Sequence, residues 1–160
     1  MNPLYQQSLD KFRSRRQEFV KKINQIKNKK NFRLDEKMHG LHYEAFERID
    51  CLQCANCCRT LGPRLKDRDI RRLARYLSLK PSEFTDHYLR IDEDGDFVFK
   101  SMPCPFLGDD NYCLVYEVRP EACAAYPHTH QTGQQKILSL TLKNAATCPA
   151  VVFMLDRLEL

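Results

Sequence analysis

Cys51-Leu-Gln-Cys54-Ala-Asn-Cys57-Cys58 places four of the eight cysteines of this 160-residue chain within eight positions. The other four, Cys104, Cys113, Cys123 and Cys148, are spread over the second half, and the first fifty residues hold none. Ordinary packing does not account for thiols at this density. Two-residue gaps let neighbouring thiolates reach one metal centre without straining the backbone. Cys51, Cys54 and Cys57 also match the start of the bacterial ferredoxin run, in which a further cysteine followed by proline ligates a cluster. Both Cys104-Pro105 and Cys148-Pro149 are Cys-Pro pairs. All eight cysteines are therefore candidate metal ligands.

The backbone of residues 51–58 controls how they are used. In a loop, Cys51, Cys54 and Cys57 wrap one centre. In a helix, Cys51, Cys54 and Cys58 share a stripe and Cys57 sits at its edge. Either way one of the adjacent pair Cys57/Cys58 points differently from the other. It then serves a second metal, bridges two metals, or is left over. Eight thiols suffice for two four-thiolate zinc sites, or for one iron–sulfur cluster with thiols to spare, and the spacing leaves that partition open.

A chain of this length is expected to form one core, so metal is not needed merely to compensate for small size. It has no run apolar enough to span a membrane and no secretory leader pattern. The expectation is a cytoplasmic protein, where thiols stay reduced and serve metals rather than disulfides. Charge is uneven. Residues 1–40 carry a net +7 and the remaining 120 a net −2, within a total of +5.

Working outward, Leu4, Tyr5, Leu9, Phe12, Phe19, Val20, Ile23 and Ile26 recur at steps of mostly three or four, which predicts one long amphipathic helix over 4–30 with a basic face. Residues 1–35 read as a basic helical arm and 36–160 as a cysteine-rich metal-binding domain. Residues 39–49 suit a short helix or an extended lead-in. Asp67 is placed to cap a helix carrying Ile70, Leu73, Ala74 and Leu77. Pro81 opens another, through Phe84, Tyr88 and Leu89. Asp92-Glu-Asp-Gly-Asp96 reads as a turn, since it lacks the spacing and final Glu of a calcium loop, and Phe97–Phe99 as a strand. Residues 101–135 are expected to be irregular, 136–142 a strand, and 149–159 a closing helix with Pro149 at its first position.

With the cysteine block, Pro103-Cys104-Pro105-Phe106-Leu107, Cys113-Leu-Val-Tyr116-Glu117-Val-Arg119-Pro120-Glu-Ala-Cys123 and Tyr126-Pro127 all in order, the chain resembles the zinc- or iron-chelating proteins of the CxxCxxCC (YkgJ-like) family over roughly 48–150. The resemblance implies metal chelation by the cysteines. It does not imply a particular reaction. Asn56 stands where family members often carry Gly, and Asn tolerates positive φ better than most residues.

His128 and His130 would share one side of a strand, as ligands or proton carriers, although the plainer reading of two polar loop histidines is favoured. Arg59 and Arg119 lie beside cysteines, either offsetting thiolate charge or forming salt bridges such as Arg119 with Glu117 or Glu121. Tyr116, Tyr126, Phe106 and Leu107 are expected to wall the metal region. The basic helix is a solvated face, a dock for an acidic protein partner, or a surface that touches nucleic acid or anionic membrane through charge alone. No module for sequence-specific nucleic-acid readout accompanies it.

The expected architecture is α+β and mainly α: a long N-terminal helix, short helices and a few short strands around an irregular cysteine-rich core. The expected function is binding of zinc or iron, including an iron–sulfur cluster. The alternative is an iron-dependent redox or modifying enzyme with the cysteine-ligated centre at its active site.

Overall fold

The computed structural model describes residues 1–29 and 33–159. The chain divides into two compact units: Met1–Cys54 with Pro127–Leu160, and Ala55–Tyr126. The division falls inside the cysteine block. The architecture is mainly helical, with one two-stranded sheet among the described residues.

The first unit is built from α1 (Pro3–Ser14), α2 (Arg16–Lys27), α3 (Leu34–Arg48), α8 (Gln134–Asn144) and α9 (Pro149–Arg157). In place of the single helix expected over 4–30 there are two, broken at Arg15, whose φ of −105° and ψ of 19° leave the helical region. The apolar stripe explains the break. Between Phe12 and Phe19 the positions that would continue it are Arg15 and Arg16. The break keeps both phenylalanines buried, with rings 5.2 Å apart. Leu4 is largely exposed rather than on the buried stripe. The expected helix end at Lys30 and the boundary stretch after it lie outside the described residues.

Tyr5, Leu9, Phe12, Phe19, Ile23 and Ile26 are buried, with α1 packed on α9 and α2 on α8. They share a core with Met38, Leu138, Val151, Met154 and Leu155. Several basic side chains of α1 and α2 bind within the same unit. Lys11 pairs with Asp156 at 2.8 Å, Lys22 donates to the Leu155 carbonyl at 2.8 Å, and Lys27 to Ser139 Oγ at 2.8 Å. The lead-in read at 39–49 is part of the longer α3.

Residues 136–142, expected as a strand, lie in α8. Ile137, Leu138, Leu140 and Leu142 suggest β by composition, but the buried positions Gln134, Leu138, Thr141 and Ala145 recur at three or four. Tertiary contact also starts this helix. Gly133 takes φ +79°, and the Asp35 carboxylate of α3 accepts from the Gly133 and Gln134 amides at 2.7 and 2.8 Å. A remote carboxylate thus does the work of a local N-cap.

The second unit holds α4 (Asn56–Thr60), α5 (Asp67–Tyr76), α6 (Pro81–Tyr88), β1 (Leu89–Ile91), β2 (Phe97–Phe99) and α7 (Glu121–Ala125). β1 and β2 are antiparallel, pairing Leu89 with Phe99 and Ile91 with Phe97. Asp92 closes the turn between them by accepting from the Asp94 and Asp96 amides at 3.0 and 2.9 Å. That spends the carboxylate on the hairpin. Phe84, Phe99, Phe106, Leu73 and Val115 form the core of this unit. Asp67 does not cap α5. Asp69, two residues on, accepts from the Lys66 amide at 3.0 Å. Residues 101–133 are irregular apart from α7 and short turns, and the last two residues of the stretch expected to be irregular open α8.

Candidate metal centre

The block 51–58 is neither one loop nor one helix. Cys51–Gln53 form a single 3-10 turn, Ala55 takes φ 49° and ψ 16°, and α4 starts at Asn56. The positive φ allowed for at Asn56 falls one residue earlier, at alanine, a residue type that takes it at a cost. The reversal separates Cys51 and Cys54, in the first unit, from Cys57 and Cys58, in the second.

In the first unit the 3-10 turn is anchored from three directions. Asp50 Oδ1 accepts from the Leu52 amide at 2.9 Å, and the Asp50 amide donates to Tyr5 Oη at 2.9 Å. The Asn2 amide donates to the Gln53 carbonyl at 2.9 Å, and Asn2 Nδ2 to Gln53 Oε1 at 2.9 Å. The start of α1 therefore braces the Cys51–Cys54 turn. The Cys54 thiol lies 3.9 Å from the Met1 thioether sulfur. Cys148 immediately precedes α9, its carbonyl accepts from the Val151 amide at 3.1 Å, and the Val151 and Ala150 amides favour its thiolate. Burial pushes this thiol up to about 12 against those amides, with Cys51 and Cys54 raising it further.

The second unit carries five cysteines. The Cys57 and Cys58 sulfurs are 3.9 Å apart. The hydrogen bond with Cys57 brings the Cys58 thiol down to about 7, against burial and with help from Arg59. The Cys104 amide donates to the Cys58 carbonyl at 2.9 Å. Cys113 pairs with Leu107, three residues after Cys104, in an isolated antiparallel bridge. The Phe106 amide donates to the Cys104 sulfur and the Val115 amide to the Cys113 sulfur. Burial pushes Cys104 up to about 11, and Cys58 and Cys113 add to that. Cys113 is raised by burial and then by Cys58. Cys123, in α7, is pushed up to about 12 by burial first, then by Cys104, Cys58 and Cys113. The Cys123 residue nevertheless keeps an exposed edge.

Buried Asp69 positions α7. It accepts from Arg72 at 2.7 Å and from the Glu121 amide at 3.1 Å, besides the Lys66 amide. Arg72 in turn donates to the carbonyls of Val118 and Arg119 at 3.2 and 2.8 Å. One carboxylate and one guanidinium thus hold the chain entering the Cys123 helix. Neither residue stands out in the sequence as part of a site. A charged residue on the apolar face of an otherwise amphipathic helix was the signal available.

Other expectations are revised. Arg119 does not pair with Glu117 or Glu121. Its guanidinium lies 3.8 Å from the Tyr116 ring centre, and Glu121 binds Lys66 and Arg68. Tyr116 is 57% exposed, so it is not part of an apolar wall, whereas Phe106 is buried in the unit core. Arg59 donates to Asn111 Oδ1 at 2.5 Å while lowering Cys58. His128, at φ +69°, lies in irregular backbone and His130 on a turn, which agrees with the favoured loop reading and not with a strand. His130 meets His42 at 5.4 Å between ring centres. His42 Nδ1 shares a 2.9 Å hydrogen bond with Thr129 Oγ1, and His39 Nε2 donates to the Gln131 carbonyl at 3.1 Å. The histidines 39, 42, 128 and 130 thus lie together in the first unit.

The donor set suits a thiophilic ion. Sulfurs grouped within each unit, backbone amides aimed at three of them, and a cation beside Cys58 all favour thiolate. Among the described residues, however, no three His, Cys, Asp or Glu side chains stand as a ready-made metal shell. The fit is therefore one of chemistry and grouping, and coordination requires the side chains to close further.

A mainly helical domain with grouped thiols, some receiving amide hydrogen bonds, is the architecture of a cysteine-rich metal-chelating protein. Residues 50–149 match the CxxCxxCC family, described as a putative zinc- or iron-chelating domain, and the chain belongs to that family. The match spans all eight cysteines. No curated protein and no solved structure matches the chain. No helix among the described residues is long and apolar enough to cross a membrane.

Proposed function

We propose that this protein binds zinc or iron through its clustered cysteines, with Cys51, Cys54, Cys57, Cys58, Cys104, Cys113, Cys123 and Cys148 as the pool of ligands. The observation that supports the reading is the family match over residues 50–149, which spans all eight cysteines, with Cys104, Cys113 and Cys123 in the same compact unit as Cys58. Each has an elevated thiol pKa to which Cys58 contributes, and two receive amide hydrogen bonds at sulfur. Unmetallated, such thiols hold their protons near neutral pH, and a bound divalent ion would replace those protons and cancel the crowding. The metal would supply folding energy for an irregular segment that has little secondary structure of its own.

The test is purification without oxygen, followed by assay of zinc, iron and acid-labile sulfide. Stoichiometric metal that falls in Cys58→Ser and Cys104→Ser supports chelation. Metal content unchanged in both variants, or absent from the wild type even after reconstitution, overturns it. Iron accompanied by sulfide would identify a cluster and open redox chemistry as the next question. Zinc alone would identify a chelating or structural module.

A further inference from the structure

We propose that residues 128–130 form an acid-sensitive latch: with His42 and His130 neutral the segment lies closed on α3, and protonation of the two imidazoles together releases it. The proposal concerns the first unit alone and does not depend on which metal the cysteines take.

The closed segment is gripped unevenly along its length. His42 Nδ1 shares a 2.9 Å hydrogen bond with Thr129 Oγ1, and Thr129 is fully buried. His39 Nε2 donates to the Gln131 carbonyl at 3.1 Å. Gln134 Nε2 donates to the carbonyls of His128 and Gln131, each at 2.8 Å. The Asp35 carboxylate accepts from the Gly133 and Gln134 amides. Residues 131–134 are thus fixed by a carboxylate and an amide side chain, whereas the imidazole of His42 supplies both the bond to Thr129 and the ring contact with His130. His128 is also held at φ +69°, a left-handed conformation that strains a residue with a side chain. Opening the segment relieves that strain.

Protonation acts on the weaker end. The His42 and His130 ring centres are 5.4 Å apart, and the His42 ring also packs on Phe46 at 4.7 Å and edge-on to Tyr43 at 5.6 Å. Two imidazolium rings at that separation repel, and half-buried His42 is incompletely screened by water. The titratable groups facing His42 are His130 from the segment, and His39 and Tyr43 from α3 itself. Among the described residues no carboxylate pairs with His42 to favour its cation. Asp35 is turned to the Gly133 and Gln134 amides, and Glu44 meets Arg48 of α3 and Arg157 of α9. Lys136 and Lys143 of α8 are exposed.

Burial, then His130 and then His39, hold the His42 pKa below its ordinary value. Burial and then His130 lower that of His128, against a hydrogen bond with Gln131. A histidine whose pKa is depressed in the closed form favours that form above its open-state value, about 6.5, and favours release as pH falls below it. Protonated His39 still donates to the Gln131 carbonyl, and Asp35, whose pKa is lowered by the two amides it binds, stays ionised. The segment therefore opens at 128–130 while the start of α8 stays in place.

Hydrogen exchange read by mass spectrometry on the full-length chain, between about pH 7.5 and 5, tests the latch across the histidine range. Wild type and variants are compared at equal metal content, so that loss of an ion is not taken for opening. After correction for the intrinsic pH dependence of exchange, peptides spanning 127–131 should exchange about tenfold faster at the acid end for each unit by which the closed form lowers a histidine pKa. Peptides spanning 133–140 should stay protected. His42→Asn, which keeps a hydrogen-bonding group for Thr129, should lose the acid response. His130→Gln, at an exposed position, should weaken it, and His87→Gln, exposed in the second unit, should leave it unchanged. If His42→Asn leaves the segment open at every pH, His130→Gln decides alone. Exchange at 127–131 that ignores pH, a full acid response in His130→Gln, a response lost with His87→Gln, or equal acceleration across 133–140 overturns the latch.

Discussion

Asp69 illustrates how much one side chain decides at the residue scale. Buried, it accepts from two backbone amides and one guanidinium, and so links the start of α5 to the start of α7. In Asp69→Ala both amides lose their partner, while Arg72, part exposed, can turn to water. The expected loss is about 3 kcal/mol, from removal of charge-assisted bonds, measured as a shift of the urea midpoint at unchanged slope. Asp35 acts likewise at α8, and the Gly133 and Gln134 amides hold its carboxyl below the usual range. A carboxyl whose folded pKa is depressed stabilises above its unfolded value, about 3.9, and that stability is lost as pH falls through the lower folded value. Asp35→Asn should therefore melt lower than wild type at pH 7, and the two curves should converge as pH falls below the unfolded value of about 3.9.

The thiols carry the opposite consequence for binding. Cys58 sits at about 7, Cys104 at about 11, and Cys123 and Cys148 at about 12. At neutral pH an ion must displace protons from most of its ligands. Apparent zinc affinity should rise by about tenfold per pH unit for each proton displaced. Competition titrations between pH 6 and 8 read this directly, and a flat profile would show that the bound groups are not these thiols.

At the element scale, the pair α1 and α2 is the part whose role changes most. Its basic face suggests an arm, yet its apolar face fills a core, and Asn2 and Tyr5 brace the turn that carries Cys51 and Cys54. Removing residues 1–27 takes Leu9, Phe12, Phe19, Ile23 and Ile26 from that core. Each fully buried apolar side chain is worth about 1.5–3 kcal/mol, so the sum exceeds the usual margin of stability. Circular dichroism should show loss of helix beyond the residues deleted. A truncated chain retaining its remaining helicity would mean the arm is dispensable.

The elements that were legible share a local cause. Pro81 and Pro149 open their helices, and Asp92-Glu-Asp-Gly-Asp96 folds back on its own carboxylate. The misread elements depend on distant partners. α8 looks like a strand by composition, and its start is set by Asp35, ninety-eight residues away in the Gly133 bond. The break at Arg15 is visible as two arginines interrupting an apolar stripe, a signal weaker than the periodicity on either side.

At the scale of the whole molecule, metal should appear as stability. An ion that binds only the folded chain adds about 2.7 kcal/mol when free ion exceeds the dissociation constant a hundredfold. Treatment with a strong chelator should lower the melting temperature, and zinc or iron(II) should restore it. No change on metal removal or return would separate the thiols from the fold and argue against a structural ion in either unit.

Cysteine number and spacing by themselves point to thiophilic-metal chemistry, because two-residue gaps let neighbouring thiolates reach one metal centre. The ordered motifs around them determine its family. Which thiols can act together is a tertiary matter. The spacing of residues 51–58 leaves the use of Cys57 and Cys58 open, and the left-handed Ala55 puts a reversal between Cys54 and the helix that carries them. The packed cores place Cys148 in the first unit with Cys51 and Cys54, almost a hundred residues away in sequence, and Cys104, Cys113 and Cys123 in the second unit with Cys58. Local sequence sets a turn or a cap, and only burial of distant apolar faces decides which ligands meet.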